Sequence, residues 1–421
     1  IGWSGYQGQL LGEIFYMKDN IQIGLVGLGG RGYGVLEAEL MRMTDITITG
    51  VCDLYEDRVK KAADLIEKKT GVRPLETTDY RKCLELPIDA VIITAAWEAH
   101  IPVATAAMEA GIYVGTEVAG AYSIDSCWQL IRTYERTGTP CMMLENCCYG
   151  KRELMLLNMV KQSVFGQIIH CAGGYHHDLR EEVTKGEENR HYRLRNYIGR
   201  NGENYPTHEL LPIGKLLGIN NGNRFISISS TASMAQGLHE YVLRTKETDD
   251  KLALTRFAQG DVVTSVLRCA NGQTVTITLD TTLPRYYSRG LCVHGTKAYY
   301  NEWSDSLFLD GIHNDTEFDS KSLWGNADSY EKNYMHPLWK HYDAIGGHGG
   351  MDWLVYSAFV DCVKRGIEPP IDVYDTATYM AVTALSEDSI ATGGAPIPFP
   401  DFTEGKYLFR GTLPETKYSL H

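Results

Sequence analysis

Residues 21–32 read Ile-Gln-Ile-Gly-Leu-Val-Gly-Leu-Gly-Gly-Arg-Gly. An apolar run ends there in Gly27-Leu28-Gly29-Gly30-Arg31-Gly32, a GxGxxG pattern. Such a motif is weak alone but carries weight where it follows a strand and opens a helix. In that setting Gly27 permits the tight turn, Gly29 lets a pyrophosphate approach the backbone, and Gly32 lets helix and strand pack closely. The helix N-terminus adds free N–H groups and a dipole that favours phosphate. Asp53 closes the next apolar run, about 20 residues beyond Gly32. A carboxylate at that place accepts both ribose hydroxyls and repels a 2′-phosphate, which favours NAD over NADP. Arg58 lies nearby and pulls slightly the other way.

Outward from this stretch, apolar runs and amphipathic segments alternate. Strands are predicted at 21–26, 46–52, 90–94, 112–116 and 141–144, with helices at 36–43, 57–69, 101–110 and 126–137. That alternation implies a doubly wound parallel α/β sheet with right-handed crossovers, a Rossmann nucleotide domain over residues 17–146. The pattern then changes. A helix at 154–162 leads into a strand at 168–173, and residues 180–204 are polar with little periodicity. Alternating strands dominate 225–293, where Asn271-Gly272 marks a hairpin. Residues 297–348 read as irregular and aromatic-rich, and helices at 351–364 and 376–390 follow. Residues 147–421 are therefore expected to form a second α/β domain with a largely antiparallel open sheet, its last helices packing back on the first domain. Residues 1–16 lack a signal-peptide pattern and are read as a leader outside the fold, with Met17 as the start.

The chain has 421 residues and a net charge of -13, which argues against nucleic acid and anionic membranes as partners but suits a neutral ligand such as a sugar. No apolar run is long enough to span a bilayer. The 10 cysteines, including the pair Cys147-Cys148, show no CxxC spacing and no disulfide framework, so a reduced, cytoplasmic chain is expected. His176, His177, Asp178 and His208 have the composition of a metal cluster, but adjacent strand residues point to opposite faces, and no metal is expected.

The first half resembles the Gfo/Idh/MocA oxidoreductases. Those proteins usually carry Glu-Lys-Pro after the fourth or fifth strand, with the lysine handling the substrate hydroxyl proton; here the stretch reads Glu117-Val118-Ala119. The second half resembles glycoside hydrolase family 109, the NAD-dependent α-N-acetylgalactosaminidases. The likeness rests on Trp97-Glu98-Ala99-His100, Glu145-Asn146-Cys147-Cys148-Tyr149, Gly173-Gly174-Tyr175, Tyr205-Pro206-Thr207-His208, Tyr287-Ser288 and Gly347-His348-Gly349-Gly350-Met351-Asp352. By that resemblance Gly27, Gly29, Gly30, Arg31, Gly32, Asp53, Trp97, His100, Glu117, Val118 and Asn146 contact NAD. Tyr175, Arg193, Tyr205, Pro206, Thr207, His208 and Tyr287 line a sugar site. Two positions depart from the family pattern: Glu209 stands where glycine is expected, and Ala119 where proline is usual. The carboxylate beside His208 points to a change in the sugar recognised.

The resemblance implies a redox-neutral cycle. Hydride leaves sugar C3, the ketone acidifies the C2 proton, the C1 substituent is eliminated, water adds and the hydride returns; this route is an exception to the two-carboxylate glycosidases. His208 is the first candidate for moving the C2 proton, because imidazole titrates near neutrality. Tyr175 and Tyr205 are candidates for the C3 hydroxyl proton, with Arg193 as the cation that would stabilise a phenolate. Three readings stay open at this point: a redox-assisted glycosidase acting on an exo-glycoside, a net NAD-dependent sugar dehydrogenase or epimerase-like enzyme, and a non-catalytic sensor. A homo-oligomer is expected by analogy with similar proteins.

Overall fold

The computed structural model describes residues 18–246, 251–313, 320–411 and 413–421. The segment read as a leader lies outside them. Six parallel strands form the first sheet: β1 (Ile21–Val26), β2 (Ile46–Cys52), β3 (Leu75–Thr77), β4 (Ala90–Ile93), β5 (Tyr113–Thr116) and β6 (Cys141–Met143), in the order β3-β2-β1-β4-β5-β6. The order reverses between β1 and β4, which is where doubly wound sheets bind nucleotides. β4 is apolar and buried throughout, and β1 is so except at Gln22, as a sheet covered on both faces requires.

The second sheet has eight strands: β7 (Ile168–His176), β8 (Phe225–Ala232), β9 (Val262–Cys269), β10 (Thr274–Asp280), β11 (Cys292–Gly295), β12 (Ala298–Asn301), β13 (Ser306–Leu309) and β14 (Ile397–Pro398). All neighbours pair antiparallel except β7 with β10. Asn271 and Gly272 do make the β9–β10 turn, with Gly272 at φ 95°. The helix Thr207–Leu216 lies on β7, and it can do so because Gly173 has no side chain: a Cβ there would stand 2.2 Å from Cγ of Glu209.

Several sequence-based boundaries move. The first helix starts at Gly30, inside the glycine motif, and ends at Ala38, with a 3-10 turn at Leu40–Arg42 in place of a helix through 43. The strand β3 and the helix Tyr80–Leu84 have no counterpart in the sequence reading, because three and five residues are too few to display a repeating apolar pattern. The polar stretch 180–204 holds two short helices, Arg180–Thr184 and Arg193–Gly199, whose buried sides are too short to read as periodic. A helix, Gly237–Thr245, interrupts the strands of 225–293, and β12 and β13 lie inside the stretch read as irregular. The helices Met351–Arg365 and Val373–Ala391 join both sheets into one continuous core; Tyr113 on β5, for example, donates to the Ile367 carbonyl at 3.0 Å. No described helix is long and apolar enough to cross a membrane.

Candidate active site

The nucleotide end begins at the C-terminal edges of β1 and β4. Gly27 has φ 99°, and a Cβ there would sit 2.3 Å from the Ala95 nitrogen. A Cβ on Gly32 would stand 2.0 Å from the Gly27 carbonyl oxygen, so helix and loop touch only because this residue is glycine. Gly29 and Gly30 differ: an added Cβ would meet nothing closer than Arg58 Nη1 at 3.5 Å, so the loop faces open space. First-turn N–H groups of the helix lack intrahelical acceptors and point into that space. Asp53 follows β2 and accepts from the Leu28 N–H at 2.6 Å and the Tyr55 N–H at 3.0 Å, which fixes the loop. Arg58 stands 3.9 Å from Asp53. An open glycine cradle, free N–H groups and a carboxylate at the second strand fit NAD.

Arg31 does not reach freely into the cradle. Its Nε donates to Glu117 at 2.8 Å, and its two Nη atoms donate to Asp352 at 2.6 and 3.0 Å. Burial alone would weaken the charge on Arg31, but Glu117, Tyr356 and Asp352 outweigh it and hold the guanidinium firmly protonated. Asn146 donates to Asp352 at 2.7 Å, and Tyr356 donates to Glu117 at 2.9 Å. Glu117, Val118 and Asn146 are therefore buried at the end of the first sheet, linked to a helix of the second half. His100 is buried and bonds through Nε2 to the Ala95 carbonyl at 2.8 Å, beside the turn that receives Gly27.

Trp97 joins the two ends. It starts the helix after β4, and its ring lies 6.0 Å from that of Tyr205. Arg193 covers the Trp97 and Tyr205 rings at 5.5 and 4.9 Å and pairs with Glu182 at 3.0 Å. Tyr205 stands 4.4 Å from Tyr175 and 4.8 Å from His208, and Tyr175 stands 5.4 Å from His208, ring centre to ring centre. Tyr287 completes the group, 6.2 Å from Tyr175 and 48 % exposed at its mouth. The fold thus brings Tyr175, Arg193, Tyr205, His208 and Tyr287, which the sequence reading assigned to a sugar site, into one cluster. Pro206 caps the helix that carries His208, and Thr207 is buried in its first turn, so both position rather than line the site.

Two residues absent from the sequence-based set complete the chemistry. Glu145, at the end of β6, accepts from His208 Nδ1 at 2.8 Å. Burial pushes the Glu145 carboxyl up, but His208 and further hydrogen bonds outweigh it and leave it below the usual carboxylate range. The carboxylate fixes the His208 tautomer with Nδ1–H, so Nε2 is the free base. His177 stands beside Tyr175, whose hydroxyl bonds to His177 Nδ1 at 2.8 Å. Burial lowers the His177 pKa, so its neutral imidazole accepts that proton. Arg193 does not make a phenolate of Tyr175: burial raises the phenol and outweighs the guanidinium, and the same holds for Tyr205. His176 points the other way, stacked on Trp303 at 6.2 Å, which separates it from His177 and His208.

An NAD-type cradle, a Trp–Arg bridge and a cage of tyrosines around a histidine–carboxylate pair define a two-domain nucleotide-dependent enzyme of sugar chemistry. Residues 21–144 match the oxidoreductase family with an NAD-binding Rossmann fold, and residues 149–409 match the glycosyl hydrolase 109 C-terminal domain. The chain belongs to glycosyl hydrolase family 109, and its cofactor is NAD. It is 38 % identical over 418 residues to a glycosyl hydrolase family 109 protein of Stenotrophomonas maltophilia, covering 93 % of this chain and 90 % of that one. An α-N-acetylgalactosaminidase of Tannerella forsythia is 36 % identical over 420 residues, with 93 % and 88 % covered. An inositol dehydrogenase homolog complexed with NAD+ from Azotobacter vinelandii has the same fold, with TM-score 0.67, 16 % identity and 91 % and 98 % of the two chains covered.

Proposed function

We propose that this chain cleaves an exo-glycosidic bond by the redox-neutral route, with α-N-acetylgalactosaminides as the first substrates to test. The observation that carries the reading is the His208–Glu145 pair inside the tyrosine cage. NAD supplies reversible hydride transfer at a sugar carbinol. Gly27–Gly32 and Asp53 would hold its pyrophosphate and ribose, with Trp97 between that loop and Tyr205.

The chain's own residues move the protons. A hydroxyl at sugar C3 passes its proton to the Tyr175 oxygen as Tyr175 passes its own to His177 Nδ1. His208 Nε2 takes the C2 proton and gives it to the departing C1 oxygen, the Glu145 carboxylate stabilising the imidazolium between the two transfers. On the return, water passes a proton to His208 Nε2 as its oxygen adds at C1, His208 delivers that proton to C2, and His177 returns the C3 hydroxyl proton through Tyr175. Val118 stands where a dehydrogenase of the Gfo/Idh/MocA type has its lysine, so the tyrosine–histidine relay is the route left for the hydroxyl proton. What favours the glycosidase over a net dehydrogenase is the His208–Glu145 pair, because a dehydrogenase has no C2 proton to move.

Incubation of the NAD-loaded protein with a panel of aryl glycosides in deuterated water tests this. The expected result is aglycone release, with deuterium at C2 of the freed sugar and no accumulation of NADH. NADH accumulation with an intact glycoside would instead mark a dehydrogenase.

A further inference from the structure

We propose that Glu145, Cys147 and His208 form a capture site for one thiophilic divalent cation, zinc by preference, and that its occupancy switches the enzyme off. Carboxylate oxygen, thiol sulfur and imidazole nitrogen lie within 4.8 Å of one another, and all three residues are buried. Glu145 and Cys147 come from the β6 end and the 3-10 turn Asn146–Tyr149, and His208 comes from the helix laid across them. Donors around one tetrahedral zinc stand about 3.4–3.6 Å apart, given metal–ligand bonds of about 2.0–2.3 Å, so closure needs shifts of about 1 Å.

A separate observation points to a ligand. Oε2 of Glu145 is buried with no donor at full hydrogen-bonding distance, only the equally unpartnered Thr207 hydroxyl interacting with the carboxylate on that side, while its Oε1 serves both His208 and the Cys147 N–H. A buried carboxylate oxygen without a donor lacks a partner that most such atoms have. Burial holds the Cys147 thiol protonated; Arg289 favours its ionisation and Glu145, Glu153 and Glu209 oppose it, so the proton leaves only when a cation takes its place. Binding converts the aquated cation and the neutral thiol into a thiolate complex and releases one proton to solvent. Three protein ligands leave the fourth position to water, the pattern of an open zinc site. Thiolate with imidazole selects zinc over magnesium or calcium.

Capture of the cation takes the lone pair that His208 needs for proton transfer. The inhibitory half of the proposal therefore rests on the glycosidase reading; binding itself does not. Chelator-treated, NAD-loaded protein titrated with cobalt(II) should develop a near-ultraviolet thiolate-to-cobalt charge-transfer band that saturates at one ion per chain, and zinc should bleach it. Cys147→Ser should lose the band and bind zinc at least tenfold more weakly, with retained NAD and an unchanged circular dichroism spectrum reporting its fold. Glu145→Gln, which keeps the thiol, should weaken both ions as well. Absence of the band in the wild-type protein, or its persistence in Cys147→Ser, overturns the site. With a cleaved glycoside in hand, zinc should stop turnover and chelation restore it; undiminished turnover in zinc-saturated protein overturns the switch. Failure of every glycoside would count against the glycosidase alone, because the cobalt spectrum still decides the site.

Discussion

The two ends of the cleft are built on different principles. The nucleotide end is backbone: a glycine loop within six consecutive residues, Gly27–Gly32, tied by one carboxylate to the following strand. The sugar end is side chain: Glu145, Tyr175, Tyr205, His208 and Tyr287 come from a strand end, another strand, a helix start and a loop, and most are buried. The first end tolerates no added atom at Gly27 or Gly32, and the second depends on where protons reside. Damage to the one should cost cofactor and fold, and damage to the other should cost turnover or change the response to pH.

The largest effect is expected at the sugar end. His208→Ala should lower turnover by roughly 10³-fold, within the range for a general base, while NAD stays bound. Single-turnover kinetics alongside cofactor quantification checks it, and loss of NAD from the variant would blur the contrast between the ends.

Gly32→Ala should break the nucleotide end. The added Cβ would sit 2.0 Å from a backbone oxygen and 2.5 Å from Thr94 Oγ1, neither at the free tip of a flexible chain. A destabilisation of roughly 3 kcal/mol with loss of copurifying NAD is expected, read by denaturant unfolding and by absorbance.

Glu203 sharpens the contrast through pH. It lies two residues before Tyr205, is buried, and burial pushes its carboxyl up to about 8. The folded chain therefore binds this proton more tightly than the unfolded chain. Its contribution to stability is complete below about pH 4.5 and is lost as pH rises through about 8. Glu203→Gln removes that loss, so the variant should gain roughly 3–4 kcal/mol on the wild type between pH 5 and 8. Parallel denaturant curves at several pH values test it; equal slopes against pH would show that Glu203 is ionised in the fold.

The smallest effect belongs to Asp53→Asn. The amide can still accept from the Leu28 N–H but no longer repels a 2′-phosphate, so the preference for NAD over NADP should fall by about tenfold. Competitive binding of the two nucleotides measures this.

Legibility in the sequence follows the same division. The glycine motif and Asp53 were readable because a backbone site needs its residues close together in the chain. The sugar-site tyrosines and His208 were named through family likeness, not through spacing. Glu145 was passed over inside a quoted motif, since nothing local distinguishes a carboxylate that will meet an imidazole 63 positions later. His177 stands in a stretch that resembles the family, but its bond to Tyr175 follows from strand geometry that no local pattern displays. Arg193 illustrates the limit most clearly: the sequence suggested a cation for a phenolate, yet burial wins over its charge and both phenols stay protonated.

By itself the sequence determined the parallel nucleotide sheet, its glycine cradle and the change of pattern near residue 146, because periodicity and turn chemistry are local. Only the tertiary structure decided which acids and bases face one another, how deeply each is buried and therefore which of them hold protons. Those outcomes depend on distance and dielectric, and neither is written in neighbouring residues.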